Sequence, residues 1–185
     1  MKNRPLLILI SGYVKSGKDT VANIIKDNYE NFSINWFALE LKKEVSLKYD
    51  IPFELTMSHS GKDSILSNGK TVRELLIQES KEQKMYDPYV YIKKLLHNLD
   101  KDKDYVIPDF RFPDEFYCIN ELKMYDIITI RINRYSISSI SSLSEYMLDD
   151  WNFDYVVENN ASLDELSSKV LDIVNVMMVS YRAIK

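Results

Sequence analysis

The apolar run Leu6-Leu7-Ile8-Leu9-Ile10 passes through Ser11 directly into Gly12-Tyr13-Val14-Lys15-Ser16-Gly17-Lys18-Asp19-Thr20. An apolar run without alternation reads as a strand buried on both faces, the mark of a parallel sheet in an α/β layer structure. Residues 18–29 then place Val21, Ile24 and Ile25 on one side at helical spacing. The glycine-bracketed segment is therefore a loop between a strand and a helix start. Gly12 and Gly17 permit the torsions and close approach that aim successive N–H groups at one anion. Lys18 adds a mobile positive charge, and the helix N-terminus beyond it favours a phosphate. This is the context that a phosphate-binding P-loop requires, the plain alternative being a strand-to-helix turn with solvated lysines. Lys15, inside the loop, is a second cation, and Ser16 belongs to the same cradle. Asp19 stands where Ser or Thr ordinarily ligates Mg²⁺, and Thr20 comes one place late. Mg²⁺ is then held through waters, by Asp19 itself, or by Asp109.

At 185 residues the chain reads as one domain, large enough to bury a core without disulfides. Its 45% hydrophobic and 28% charged content is that of an ordinary globular protein. A net charge of −4 argues against binding a nucleic-acid polymer, while leaving room for a local basic pocket around one nucleotide. Cys118 is alone, so it forms no internal disulfide and reads as filler in a reducing compartment. No apolar run is long enough to span a membrane. Lys2 and Arg4 before the first strand faintly imitate a signal peptide, but no small-residue cleavage site follows. The chain is cytoplasmic in character.

Further along, Ser33–Phe37 reads as a short strand and Leu39–Tyr49 as a helix. Asp50–Lys70, with Pro52, two glycines and several serines, reads as irregular and mobile. Thr71-Val-Arg-Glu74 is a capping-box start for a helix to about Lys84, and Asp87-Pro88 opens another to about Asn98. Tyr105–Asp109 is a strand ending at an acid, Phe112–Tyr125 a helix with Pro113 in its first turn, and Ile127–Ile132 a strand. The serine-rich 136–144 stretch is a loop, Phe153–Glu158 a last strand, and Ser162-Leu-Asp-Glu165 the capping box of the final helix. Strands alternating with helices imply a mostly parallel sheet covered on both faces, with ligands beyond the carboxyl ends of its strands. Gly12–Thr20, Ala38, Asp109–Arg111 and Arg134 all fall on that rim. A mobile acceptor-side insert spans about 50–98 and a lid-like loop about 133–150, and within them residues 50–70 and the loop after Arg134 are expected to close on substrate.

Asp109 occupies the position of a Walker-B acid, with Arg111 on the same rim. Asp109 suits a metal-bound water or the surroundings of an acceptor phosphate, and Arg111 suits phosphate charge. An Asp–Arg pair closing a strand end is the alternative. Asp114 and Glu115 read as helix N-terminal residues. Arg73 lies in the first turn of its helix, against the dipole, which an anionic acceptor or plain surface exposure explains equally. Arg134 is the better placed of two arginines to close over a transferred phosphate, and Arg131 reads as strand decoration. Ser142-Leu-Ser-Glu145 is a further capping box. The Trp36-Phe37 and Tyr86–Tyr91 aromatics read as core, with one available to stack on a base.

Several of these elements occur in an order that resembles the bacteriophage-type deoxynucleoside monophosphate kinases. They are Ser-Gly-Lys-Asp-Thr-Val-Ala from Ser16, Phe37-Ala38-Leu39 with Leu41-Lys42, Thr71-x-Arg-Glu-Leu-Leu76, Asp109-Phe-Arg-Phe-Pro-Asp-Glu115, Ser144-Glu145 and Tyr155-Val-Val-x-Asn159-Asn160. The resemblance spans the whole chain. It implies a P-loop NTP hydrolase or nucleoside monophosphate kinase-like three-layer sandwich. It also implies ATP- and Mg²⁺-dependent phosphorylation of deoxynucleoside monophosphates to diphosphates. By the resemblance, Lys15, Lys18 and Thr20 bind phosphate, and Arg73, Asp109 and Arg111 serve the acceptor or the catalysis, with Phe37 and Ala38 on the acceptor side. The partners implied are small-molecule nucleotides, with no nucleic-acid polymer and no membrane; a homodimer is left open.

One stretch departs from that family. Where it has Gly-Thr-Glu, an arginine and a tryptophan, this chain reads Ser80-Lys-Glu-Gln-Lys-Met85, with Tyr91 near the tryptophan position. Lys84 substitutes for the arginine without its bidentate fork. Animal-type phosphomevalonate kinase shares the Lys-Ser-Gly-Lys-Asp loop and a similar Asn152-Phe-Asp-Tyr-Val-Val-Glu-Asn159 ending, and it is the rival acceptor class. A nucleotide-binding module without turnover is the third reading.

Overall fold

A computed structural model of the chain describes residues 4–135 and 146–183, with side chains as far as Ser180. Two compact units emerge: Phe37–Asn98, and the remainder of the chain on either side of it.

The larger unit is built on five strands: β1 (Leu6–Ser11), β2 (Phe32–Ile34), β3 (Asp104–Ile107), β4 (Asp126–Asn133) and β5 (Tyr155–Glu158). All pair in parallel, in the order β2-β3-β1-β4-β5. The first strand in the chain is thus the central one, which is why it is apolar at every position and wholly buried. Helix α1 (Lys18–Asn28) carries the chain from β1 outward to β2, and α7 (Pro113–Glu121) carries it from β3 across to β4. These crossovers run in opposite directions, so a common right hand puts α1 and α7 on opposite faces. On one face Leu6, Ile8 and Ile10 pack with Val21, Ala22 and Ile25 of α1 and with Leu166, Val170 and Val174 of α8 (Leu163–Ala183). The alternate residues Leu7, Leu9, Tyr105 and Ile107 are equally buried toward the other face.

Several element ends differ from the sequence expectation, each for a local reason. Strand β2 stops at Ile34 rather than Phe37, where the Asn35 side chain accepts from the Trp36 N–H at 2.8 Å and turns the chain. Strand β3 stops at Ile107, because Pro108 has no N–H to give, and Asp109 follows it in a turn. Helix α7 ends at Glu121, and Lys123 adopts a left-handed φ of 49°. The expected lid-like segment begins in β4, which runs to Asn133. Residues 136–145, including the Ser142–Glu145 capping box, lie outside the described residues.

The smaller unit contains α2 (Leu39–Lys48), α3 (Phe53–Met57), α4 (His59–Lys62), α5 (Val72–Tyr86) and α6 (Val90–Asn98). The stretch 50–70, expected to be irregular, holds two short helices. Pro52 starts the first and the Ser58 hydroxyl caps the second by accepting from Gly61 N at 3.0 Å. Helix α5 begins as expected with a full capping box, Thr71 Oγ1 accepting from Glu74 N and Glu74 accepting from Thr71 N. Leu41, Val45, Ile51, Val72, Leu75 and Tyr91 form this unit's own core.

Candidate active site

In the larger unit, β1 sends its connection to one side of the sheet and its neighbour β3 sends its connection to the other. Ligand crevices of open α/β sheets open at such a switch, beyond the carboxyl ends of the strands. The loop Gly12–Gly17 leaves β1 at that edge, and Asp109–Arg111 leaves β3 there. Phe110 N donates to Ile10 O at 3.2 Å and keeps the second segment alongside the first.

Three residues of the loop carry positive φ: Gly12 at 146°, Lys15 at 63° and Gly17 at 105°. A Cβ on Gly12 would lie 2.4 Å from Ile132 O and 2.6 Å from Ser16 Oγ, and one on Gly17 would lie 2.4 Å from Asn159 Nδ2. Gly12 is therefore required by crowding against backbone as well as by torsion, and Gly17 chiefly by torsion. Asn159, just past β5, donates from Nδ2 to Ser16 O at 2.8 Å, and its own N–H reaches Asn133 O at 2.8 Å. The loop is thereby tied to the ends of β4 and β5.

Lys18 opens α1, and its Nζ donates to Gly12 O and to Tyr13 O, each at 2.7 Å. Its ammonium thus lies over the loop rather than in solvent. Ser16 is 1% exposed, and its hydroxyl has no hydrogen-bond partner among the described residues. A buried hydroxyl in that condition costs about 1–3 kcal/mol, which a ligand oxygen would offset. Asp19 and Thr20 are exposed in the first turn of α1, and Lys15 is exposed at the tip of the loop. Asp109 is half-buried and Arg111 exposed. Glu115 is buried at the head of α7 and accepts from Arg111 N at 2.7 Å and Phe112 N at 3.1 Å, the structural role expected of it. Arg134 is exposed immediately beyond β4.

The remaining expected site residues belong to the smaller unit. Phe37 is buried, and Ala38 caps α2, its carbonyl accepting from Lys42 N. Arg73 is engaged locally, Nε and Nη2 both reaching Asp63 Oδ1 at 2.9 and 2.8 Å. Lys84 sits in the last turn of α5. An open pocket of about 440 Å³ in this unit is lined by Glu40, Glu44, Lys93, Lys94, His97 and Asn98, none of them expected site residues.

Arg131, read from the sequence as strand decoration, is 7% exposed and set among polar groups beside the loop. Its Nη2 donates to Asp149 Oδ1 at 2.7 Å and its Nη1 to Ser11 Oγ at 3.2 Å. The guanidinium carbon lies 4.8 Å from the centre of the Tyr13 ring and 5.8 Å from that of Phe153. Tyr13 OH donates to Asp149 Oδ2 at 2.6 Å. That bond, with burial added, raises the phenol above its ordinary pKa and keeps it a donor. The sequence held one signal for this arrangement: Thr129 and Arg131 interrupt the isoleucines of Ile127–Ile132 two residues apart, so they share a face.

Metal binding is compatible with these residues. Mg²⁺ is commonly held by one or two carboxylates together with substrate phosphates, so Asp109 or Asp19 suffices. Among the described residues no group of three His, Cys, Asp or Glu is placed to hold a metal by itself. No described helix is long and apolar enough to cross a membrane.

No family model matches the chain, and no curated protein matches it. Solved structures do match. A candidate kinase from Chloroflexus aurantiacus aligns with a TM-score of 0.51 and 10% identity, over 95% of this chain and 98% of that one. Dephospho-CoA kinase from Campylobacter jejuni aligns with 0.48 and 13%, over 91% and 95%. Thymidylate kinase from Candida albicans aligns with 0.45 and 14%, over 96% and 94%. At 10% identity the likeness to the first of these is one of fold. The chain has the α/β fold of the P-loop kinases, a central parallel sheet flanked by helices with the glycine loop at its carboxyl edge.

Proposed function

We propose that this protein is an ATP-dependent kinase that phosphorylates the phosphate group of a deoxynucleoside monophosphate. The observation that carries the donor half is the loop itself. The Lys18 ammonium is gathered onto the carbonyls of Gly12 and Tyr13 beside a buried Ser16 hydroxyl that lacks a partner among the described residues. The acceptor half rests on the sequence resemblance, chiefly Asp109-Phe-Arg-Phe-Pro-Asp-Glu115.

In this reading the loop N–H groups and Lys15 bind the donor phosphates, and Thr20 offers its hydroxyl to the α-phosphate. Lys18 exchanges its two carbonyls for phosphate oxygens. An oxygen of the acceptor phosphate attacks the γ-phosphorus in line, and the bond to the bridging oxygen of ADP breaks. A phosphate acceptor is already largely ionised near neutrality, so no strong general base is needed, and catalysis is positioning and charge neutralisation. Lys18, Arg111 and Arg134 supply positive charge. Asp109, or Asp19, would hold Mg²⁺ directly or through water, and the ion would neutralise charge on the transferring phosphates. Phe37, Ala38, Arg73 and Lys84 are the acceptor-side residues.

Coupled assays with each deoxynucleoside monophosphate, each ribonucleoside monophosphate and phosphomevalonate test the reading. Turnover with one or more deoxynucleotides, lost in a folded Lys18→Ala variant, is the expected result. Turnover with phosphomevalonate alone replaces the acceptor class, and a folded Lys18→Ala protein with near wild-type turnover overturns the mechanism.

A further inference from the structure

The Tyr13 carbonyl takes two donors, Lys18 Nζ at 2.7 Å and Ser16 N at 3.1 Å. Its side chain is held as firmly as its backbone. The phenol donates to Asp149, the ring faces the Arg131 guanidinium, and the Tyr146 ring meets it edge-on at 6.2 Å. Arg131 in turn bridges Asp149 to Ser11, two residues before Tyr13. The result is a closed circuit, Ser11 to Arg131 to Asp149 to Tyr13 and back through Gly12. It joins the end of β1, the glycine loop, β4 and the 146–150 turn. That turn is itself anchored, with Leu148 1% exposed and Trp151 packed edge-on against Phe110, Phe116 and Tyr117. Neither the phosphate-loop motif nor the phosphotransfer chemistry calls for a tyrosine, an arginine or an aspartate at these three positions.

We propose that Tyr13, clasped by Asp149 and Arg131, is a positioning residue for the donor site: it sets the carbonyl from which Lys18 is handed to the donor phosphate. The inference rests on the proposed ATP-binding function and deepens it. Because the clasp acts on the donor loop, its loss weakens ATP binding selectively. Removing the phenol hydroxyl in Tyr13→Phe, or the charge in Asp149→Asn, raises the Kd and KM for ATP about three- to tenfold and leaves the acceptor KM within about twofold. The two changes act on the same Tyr13–Asp149 contact, so the double variant is no more than about twofold weaker than the worse single variant.

The test is calorimetric titration of ATP without any acceptor, on the full chain, at a temperature well below each variant's melting point. Tyr29→Phe is the control, since its hydroxyl donates to Asn175 at 2.8 Å on a different part of the same unit. A weakened Tyr13→Phe and Asp149→Asn, an unchanged Tyr29→Phe and a non-additive double variant support the proposal. Wild-type ATP binding with Kd unchanged in both single variants, or a double variant weakened by the product of the two, overturns it while leaving the proposed function standing. Absence of ATP binding by the wild-type chain overturns both.

Discussion

Gly12→Ala is the most informative single substitution, because two independent costs fall on one methyl group. At φ 146° an alanine is in a backbone region that L-residues rarely adopt, worth about 1–3 kcal/mol of strain. Its Cβ would also stand 2.4 Å from Ile132 O. That carbonyl has little freedom to retreat, since β4 pairs with β1 through Ser11↔Arg131 on one side and with β5 through Ile132↔Val157 on the other. Overpacking against a fixed neighbour adds about 1–3 kcal/mol. The sum, about 2–6 kcal/mol, is a large fraction of the about 5–15 kcal/mol that holds a typical domain folded. Gly69→Ala is the internal comparison: φ is 78° there, but nothing lies within 4 Å of an added Cβ, so only strain of about 1–2 kcal/mol is expected. Urea denaturation read by tryptophan fluorescence and far-UV circular dichroism measures both. If Gly12→Ala costs no more than Gly69→Ala, the crowding argument for the loop is wrong.

Other perturbations follow from the same geometry. Glu79 is held below its ordinary pKa of 4.5, first by the Lys48 hydrogen bond and then by Gln83. Its stabilisation is therefore fully present above pH 4.5 and is lost as pH falls through the lower folded value; the acid limb of a stability–pH curve should be shallower in Glu79→Gln. Thr71→Ala removes the hydroxyl half of the α5 capping box and should cost about 1 kcal/mol by chemical denaturation, with Thr71→Ser restoring most of it. Arg131→Met strips the ion partner from Asp149, whose side chain is 34% exposed. The loss should be about 1–3 kcal/mol by urea denaturation, below the 3–5 of a fully buried pair.

What could be read from the sequence was local. The strand Leu6–Ser11 and the helix after Lys18 announce themselves by apolar patterning, and the starts at Thr71 and Ser162 by capping chemistry within four residues. The short helices between 50 and 62 were hidden because their reason is packing. Thr56 is wholly buried, and Gly61 admits the Leu55 backbone, 2.6 Å from where a Cβ would be. The role of Arg131 was hidden for another reason: the face it shares with Thr129 sets it apart from the isoleucines, but its partner Ser11 is 120 residues away, so nothing local says what the guanidinium meets. The glycine loop was legible as chemistry, while the crowding that makes Gly12 necessary comes from the Ile132 carbonyl, far along the chain.

The position of β1 has a consequence for how the chain is made. The strand that is completely buried in the finished sheet is made before the other four, and both of its neighbours, β3 and β4, come from the second half of the chain. From Ser11 to Asp104 about 90 residues intervene, which at typical synthesis rates is about 5–20 s of waiting. Throughout that interval five consecutive large aliphatic side chains, bare of charge between Pro5 and Gly12, have no sheet to enter. Docking of α1 over the strand, or a holding chaperone, would cover those side chains until β3 and β4 arrive. Substitutions that leave the finished protein stable but slow the appearance of β3 should therefore show themselves as poor yield of soluble protein.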